Sequence, residues 1–154
     1  MRCVIQRVLS SSVSVGGKVV GSIGPGLLIL AAVEKGDDAA GMEAAAMKLV
    51  NLRIFSDAAG KMNLSVIEAG GSLLAVSQFT LAGSIDRGRR PGFDRAEEPE
   101  RARMLFDLFV EALRSKGVTV ETGVFREYME VALVNDGPVT FVYDTSRGNG
   151  SSGF

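Results

Sequence analysis

A pair of glycines, Gly16-Gly17, separates two β-rich stretches, Ser12–Val15 and Lys18–Ile23, and limits the fold more than any other feature of the chain. A two-residue interval of this kind marks a tight hairpin, because glycine reaches the positive φ angles that such turns require. Gly24-Pro25-Gly26 forces a second turn, and an unbroken apolar run from Leu27 to Val33 follows it. A run of that length bounded by turn residues predicts a strand buried on both faces. Ahead of the hairpin, Cys3, Ile5 and Arg7 fall in a further β-rich segment, with Ser10 to Ser12 reading as a break before Val13 and Val15. The order Gly21-x-x-Gly24-x-Gly26 matches neither the Walker nor the dinucleotide phosphate loop, so these glycines read as turns.

Helical spacing occurs twice. Met42, Ala45, Ala46 and Leu49 predict a helix over 39–51 behind a cap at Asp37 or Asp38. Leu105, Leu108, Phe109 and Ala112 predict a second, from Pro99 or Glu100 to Lys116. Glu97, Glu98 and Glu100 sit at its positive end and Gly117 stops it. Extended pieces are expected at 52–55, 62–66, 72–79, 118–121, 129–134 and 139–143, with Asn135-Asp136-Gly137-Pro138 as a turn between the last two. Many strands, two helices and no regular β-α-β alternation give an α+β class, mostly antiparallel. A single domain is expected over 1–144, with a flexible Gly/Ser-rich tail over 145–154. Gln6 and Arg7 interrupt any signal-peptide core, and the longest apolar run falls far short of the roughly 20 residues that span a bilayer. A cytoplasmic protein without a membrane partner is the expectation.

The composition restricts the chemistry. The 154 residues include no histidine, no tryptophan and one cysteine. Ser-His-Asp and Cys-His triads, HExxH metalloprotease sites and histidine-bearing zinc sites are therefore ruled out. A lone cysteine cannot form an internal disulfide. Cys3 itself, in an apolar strand without a basic neighbour, reads as a small buried hydrophobe. No run has the spacing of an oxygen-ligand metal loop, so no metal is expected. Seventeen basic and eighteen acidic residues leave a net charge of −1, which excludes a global attraction to nucleic acid but not a local basic patch.

Three segments can carry function. Ser77-Gln78-Phe79-Thr80 directly follows the core strand, placing two hydroxyls and an amide at the rim of the core. Hydroxyls can attack a carbonyl or orient water, and amide or backbone N–H groups can stabilise an oxyanion. The same residues also fit a strand that simply leaves the core, its hydroxyls bonding their own backbone. Around Arg87, Arg89 and Arg90 lie four arginines and two aspartates between Ile85 and Arg95, with Phe93 nearby. Such a cluster fits a phosphate contact as well as it fits a solvated loop. Gly137-Pro138 fits an ordinary hairpin, or a cis bond aligning two carbonyls as acceptors for an ammonium group.

SQFTL (Ser77 to Leu81) and NDGPVT (Asn135 to Thr140), in that order, resemble the D-aminoacyl-tRNA deacylase family. The resemblance extends to Met1–Val8, Val50–Phe55, Lys61–Ser65 and Gly88–Pro91, and so to the whole chain up to about Asp144. It implies a homodimer of a compact, mostly antiparallel β-barrel-like fold with about two helices packed outside. It implies hydrolysis of the ester linking a D-amino acid to the 3′-terminal adenosine of tRNA, without cofactor, membrane or DNA. The partner would be the acceptor end of aminoacyl-tRNA. Ser77, Gln78, Phe79 and Thr80 would line the ester and adenosine pocket, and Met129 part of the adenine site. Gly137-Pro138, held cis, would reach in from the other subunit and fix the substrate's amino group so that an L side chain collides with backbone, with Arg7 orienting that loop. Glycine has no side chain to reject, so glycyl-tRNA would also be admitted. Hydrolysis would proceed through Thr80 as nucleophile or, better matched to a chain without histidine, through the substrate's vicinal 2′-hydroxyl. The rival readings are an aminoacyl-tRNA-binding module without hydrolysis and a small-molecule esterase using Thr80.

Overall fold

The computed structural model describes residues 1–86 and 88–145. Its first strand, β1 (Arg2–Val15), turns through Gly16 and Gly17, at φ 56 and 78, into β2 (Lys18–Ile23). Both angles are positive, as a tight hairpin demands. After Pro25 the chain continues as β3 (Gly26–Ala32), which runs antiparallel to the first half of β1. Helix α1 (Ala39–Val50) follows, capped by Asp38, whose carboxylate accepts the Gly41 N–H at 2.8 Å. Asp37, the alternative cap, instead receives the Glu34 N–H and the Met1 ammonium group. The small pair β4 (Phe55–Ser56) and β5 (Met62–Leu64) leads to β6 (Ser72–Ser77), α2 (Pro99–Arg114), β7 (Val120–Thr122) and β8 (Glu130–Asp144).

The main sheet has the order β2-β1-β3-β6-β7, and β8 pairs with β1 along its other side. Pairings around β1 are antiparallel, whereas β3–β6 and β6–β7 are parallel, so the sheet is mixed and curls into a nearly closed barrel. Glycine permits the closure. A Cβ on Gly21 of β2 would lie 2.5 Å from the Thr122 carbonyl oxygen of β7. No main-chain atom can retreat from that contact cheaply.

The continuous apolar run is explained by burial on two sides. Leu27 and Ile29 of β3 pack with Ile5, Leu73 and Ala75 against Met42 and Leu49 of α1 and Leu105, Phe109 and Leu113 of α2. Leu28, between them in sequence, joins Val8, Val13, Ile23, Leu74 and Val76 in a second cluster. Alternate residues of one strand thus feed two separate cores, as the period of two requires.

Two expectations are corrected. The break at Ser10–Ser12 does not occur: β1 runs through it because the buried Ser11 hydroxyl donates to the Ala132 carbonyl at 2.9 Å. Nor do Asn135–Pro138 separate two strands, since β8 continues from Glu130 to Asp144. Gln6 pairs with Thr140 and Val8 with Asn135, so Arg7 alone stands opposite residues 136–139. The surplus bulges out of a strand that stays paired on either side. Strand ends elsewhere shift slightly: β6 stops at Ser77, and a single 3-10 turn, Phe79–Ala82, follows. Thr145 is tied to the body, its hydroxyl receiving the Met1 ammonium at 2.6 Å. The remainder of the expected tail, 146–154, lies outside the described residues. No helix among them is long and apolar enough to cross a membrane.

Gly21→Ala is expected to lower stability by about 1–3 kcal/mol, because the added methyl group overpacks against main chain. Gly24→Ala, where a Cβ meets nothing within 4 Å, should stay within about 0.5 kcal/mol. Urea unfolding of the two variants checks the contrast.

Candidate functional site

β6 delivers its last residue, Ser77, to the edge of a cavity of about 420 Å³. The Gln78 N–H donates to the Ala31 carbonyl at 2.8 Å, extending the β3–β6 pairing one residue beyond the strand. The chain then turns sharply into the 3-10 segment at Phe79. Ser77, Gln78 and Phe79 line the cavity together with Met129, and Val33, Val76 and Val131 add apolar wall. Thr80 stands beside it, exposed, its hydroxyl bonded by the Gln78 side-chain amide. No carboxylate or amine among the described residues hydrogen-bonds the Ser77 or Thr80 hydroxyl, so neither has a base to activate it. The first N–H groups of a short helical turn have no partner inside that turn. Here they belong to Phe79 and Thr80, at the cavity's edge.

The basic loop is moored to this wall. The Phe93 ring packs on Phe79 at 5.1 Å between centroids, and Ser84 and Gly92 bridge to close the loop. Gly83 makes room for the aromatic ring, since a Cβ there would meet Phe93 at 2.9 Å. Arg89 and Arg90 are exposed and do not line the cavity. Arg87 lies outside the described residues. Arg95, the fourth arginine, pairs with buried Glu34 at 2.9 Å. Of the helix-terminal acids, Glu97 lines the cavity while holding Arg101 at 3.1 Å.

A further part of the wall was not singled out from the sequence. Phe125, Arg126, Glu127 and Tyr128 line the cavity between β7 and Met129. The Glu127 N–H returns to the Val124 carbonyl at 3.3 Å, and Arg126 in that turn has φ 68. It is the one non-glycine residue with a positive φ among those described. Glycine or asparagine usually fills such a position, so the sequence gives no turn signal there. Gly123 is the nearest clue: a Cβ on it would meet the Met129 sulfur at 2.5 Å, so the glycine leaves Met129 its place.

Arg7, Gly137 and Pro138 form a separate assembly, and none of the three lines the cavity. The Gly137–Pro138 bond is cis, and Gly137 has φ 139, open to glycine. Arg7 is buried, and its Nε donates to the Asp136 carbonyl at 3.1 Å and lies 3.1 Å from the Asp136 carboxylate. Its Nη1 donates to the Ile54 carbonyl at 2.6 Å. From the other end, the Asn135 Oδ1 accepts the Val139 N–H at 2.7 Å. Both flanks of Gly137–Pro138 are therefore pinned. Among the described residues no three Cys, Asp or Glu side chains converge as a metal site would need.

The chain matches the family model for D-Tyr-tRNA(Tyr) deacylase over residues 4–144. It is 59% identical to the D-aminoacyl-tRNA deacylase of Pelobacter propionicus over 144 residues, covering 94% of this chain and 99% of the relative. The corresponding figures for the enzyme of that name from Symbiobacterium thermophilum are 56% over 147 residues, 96% and 97%. Among solved structures, the c-Myc DNA Unwinding Element Binding Protein superposes with a TM-score of 0.88 at 37% identity, covering 94% of this chain and 98% of the other. A probable eukaryotic D-amino acid tRNA deacylase, at 18% identity and TM-score 0.82 over 92% and 97% of the two chains, shares the fold.

Two outcomes are expected. Replacing Arg7 by Met should cost about 1–3 kcal/mol in urea unfolding, since the Ile54 and Asp136 carbonyls lose their donor. Burial pushes the Cys3 thiol from its ordinary value of 9.0 up to about 12. It should resist alkylation at pH 8 in the folded protein and react once urea unfolds it. Because the folded value is the higher one, the unfolded chain ionises first, and stability falls as pH climbs above 9.0.

Proposed function

The chain belongs to the D-Tyr-tRNA(Tyr) deacylase family, and on that premise we propose that it hydrolyses the ester of D-aminoacyl-tRNA, releasing the free D-amino acid and the tRNA. The observation that carries the reading is the meeting of Ser77, Gln78, Phe79 and Met129 around one cavity of nucleoside size. The terminal adenosine enters between the Phe79 turn and Met129. The ester carbonyl then faces the N–H groups of Phe79 and Thr80, which take up the negative charge that develops on its oxygen. Water adds to the carbonyl carbon, the bond to the ribose 3′-oxygen breaks, and that oxygen takes the proton. Thr80 has no base beside it, so the vicinal 2′-hydroxyl of the substrate orients the water and relays the proton.

Gly137–Pro138 does not line the cavity of its own chain and serves instead the cavity of a second copy. β8 supports a homodimer: it is an edge strand of 15 residues carrying half-exposed Val134 and Phe141 and exposed Val142. An edge of that length with apolar side chains calls for a cover. In the dimer, Gly137–Pro138 of the partner subunit presents main-chain oxygens to the substrate's ammonium group. Rigid main chain then rejects every L side chain irrespective of its chemistry, while admitting D residues and glycine. Arg7 and Asn135 hold that loop still. The Arg89 and Arg90 loop meets tRNA phosphate outside the cavity.

A second reading, nucleic-acid binding without hydrolysis, draws on the DNA-binding description of one structural relative. Purified protein given D-Tyr-tRNA and L-Tyr-tRNA separates the two: cleavage of the D form at least 100-fold faster is expected, an order of magnitude that steric exclusion readily supplies. Binding with no cleavage of either would refute the hydrolase reading. Thr80→Ala should retain turnover within about tenfold, whereas substrate ending in 2′-deoxyadenosine should lose about 100-fold or more. The reverse pattern would make Thr80 the nucleophile.

A further inference from the structure

A cavity of about 420 Å³ holds one nucleoside with its amino acid, so the rest of an acceptor strand must leave across the rim. The rim is not uniform. On the β6 side it carries Ser77, Gln78 and the Phe79 ring, which packs on Phe93, but no cation, and Arg89 and Arg90 are not part of it. Where the β7–β8 connection meets the cavity stand Arg126 and Tyr128, with one residue between them.

Resting on the hydrolase reading, we propose that Arg126 and Tyr128 form the site for the nucleotide immediately before the terminal adenosine. Arg126 pairs with the phosphodiester joining the two nucleotides, and Tyr128 stacks on the preceding base. Arg126 is the one cation lining the cavity, and it has no hydrogen bond or ion pair to another described residue. Of the two carboxylates that line the cavity, Glu97 is already engaged by Arg101 at 3.1 Å. Tyr128 is 87% exposed and packs on no other ring among the described residues, so its face is open to a base. Single-stranded RNA is held by this pair of devices, a cation on the phosphate and an aromatic ring under a base. The turn that presents them is built at a cost, with an arginine at φ 68 where glycine would be relaxed. Glu127, also on the rim, its carboxylate without a hydrogen bond or ion pair among the described residues, opposes the phosphate and sets the sign of a control.

The test compares D-tyrosyl-tRNA with 3′-O-(D-tyrosyl)adenosine, which fills the cavity but lacks the phosphodiester and the preceding base. Arg126→Gly relaxes the turn, so its melting temperature should equal or exceed that of the parent. The variant's loss in kcat/KM on the tRNA substrate should exceed its loss on the adenosine ester by about tenfold, one phosphate contact's worth, and should appear in KM. The salt dependence of kcat/KM on tRNA should fall in slope by about one. Arg126→Lys should recover most of the loss, Tyr128→Leu should repeat the tRNA-selective pattern, and Glu127→Gln should lower KM for tRNA alone. Equal losses on both substrates, or none on either, would overturn the assignment. An unmodified protein that cleaves neither substrate would overturn the hydrolase reading, and this inference with it.

Discussion

The structure depends on the double pairing of β1. One edge of Arg2–Val15 carries β3 and then β2, and the other carries β8 along almost its whole length. The strand is thus common to both cores: Cys3 and Ile5 belong to the helix-covered one, Val8 and Val13 to the other. Arg7, one of its irregular positions, is where the partner strand bulges by several residues. A buried guanidinium must have acceptors to offset lost hydration, and the bulge supplies them through the Asp136 carbonyl and carboxylate. One side chain of the central strand thereby holds one flank of the loop.

The cavity owes its position to the parallel half of the sheet. β3 and β6 end side by side, and the chain leaves β6 where no neighbouring strand continues. Open sheets characteristically place ligands beyond the carboxyl ends of parallel strands. Here the departing 3-10 turn, the β7–β8 connection and the residues before α2 converge on that end.

Much of this was legible in the residues. The hairpin follows from Gly16-Gly17, the two-sided burial of β3 from its unbroken apolar run, and both helices from stripes at helical spacing. The polar step at Ser77–Thr80 marked the end of the core strand. What escaped depends on partners distant in sequence. Ser10–Ser12 look like a break until Ala132 is placed opposite Ser11, and Asn135–Pro138 look like a turn until β1 is seen running past them. Register of this kind is set by tertiary pairing and leaves no local periodicity. The wall at Phe125–Tyr128 was hidden for another reason: its turn uses an arginine where local chemistry would predict glycine.

Under the proposed dimer, the separation between the cavity and the Gly137–Pro138 loop within one chain would have a genetic consequence. In a dimer whose sites each combine one chain's cavity with the other's loop, a chain damaged only in the cavity and a chain damaged only in the loop are each inert alone. Paired with one another, they bring together one intact cavity and one intact loop, and half the sites return. Two defective alleles of such a protein would complement, and the pattern of complementing pairs would map which residues act in trans.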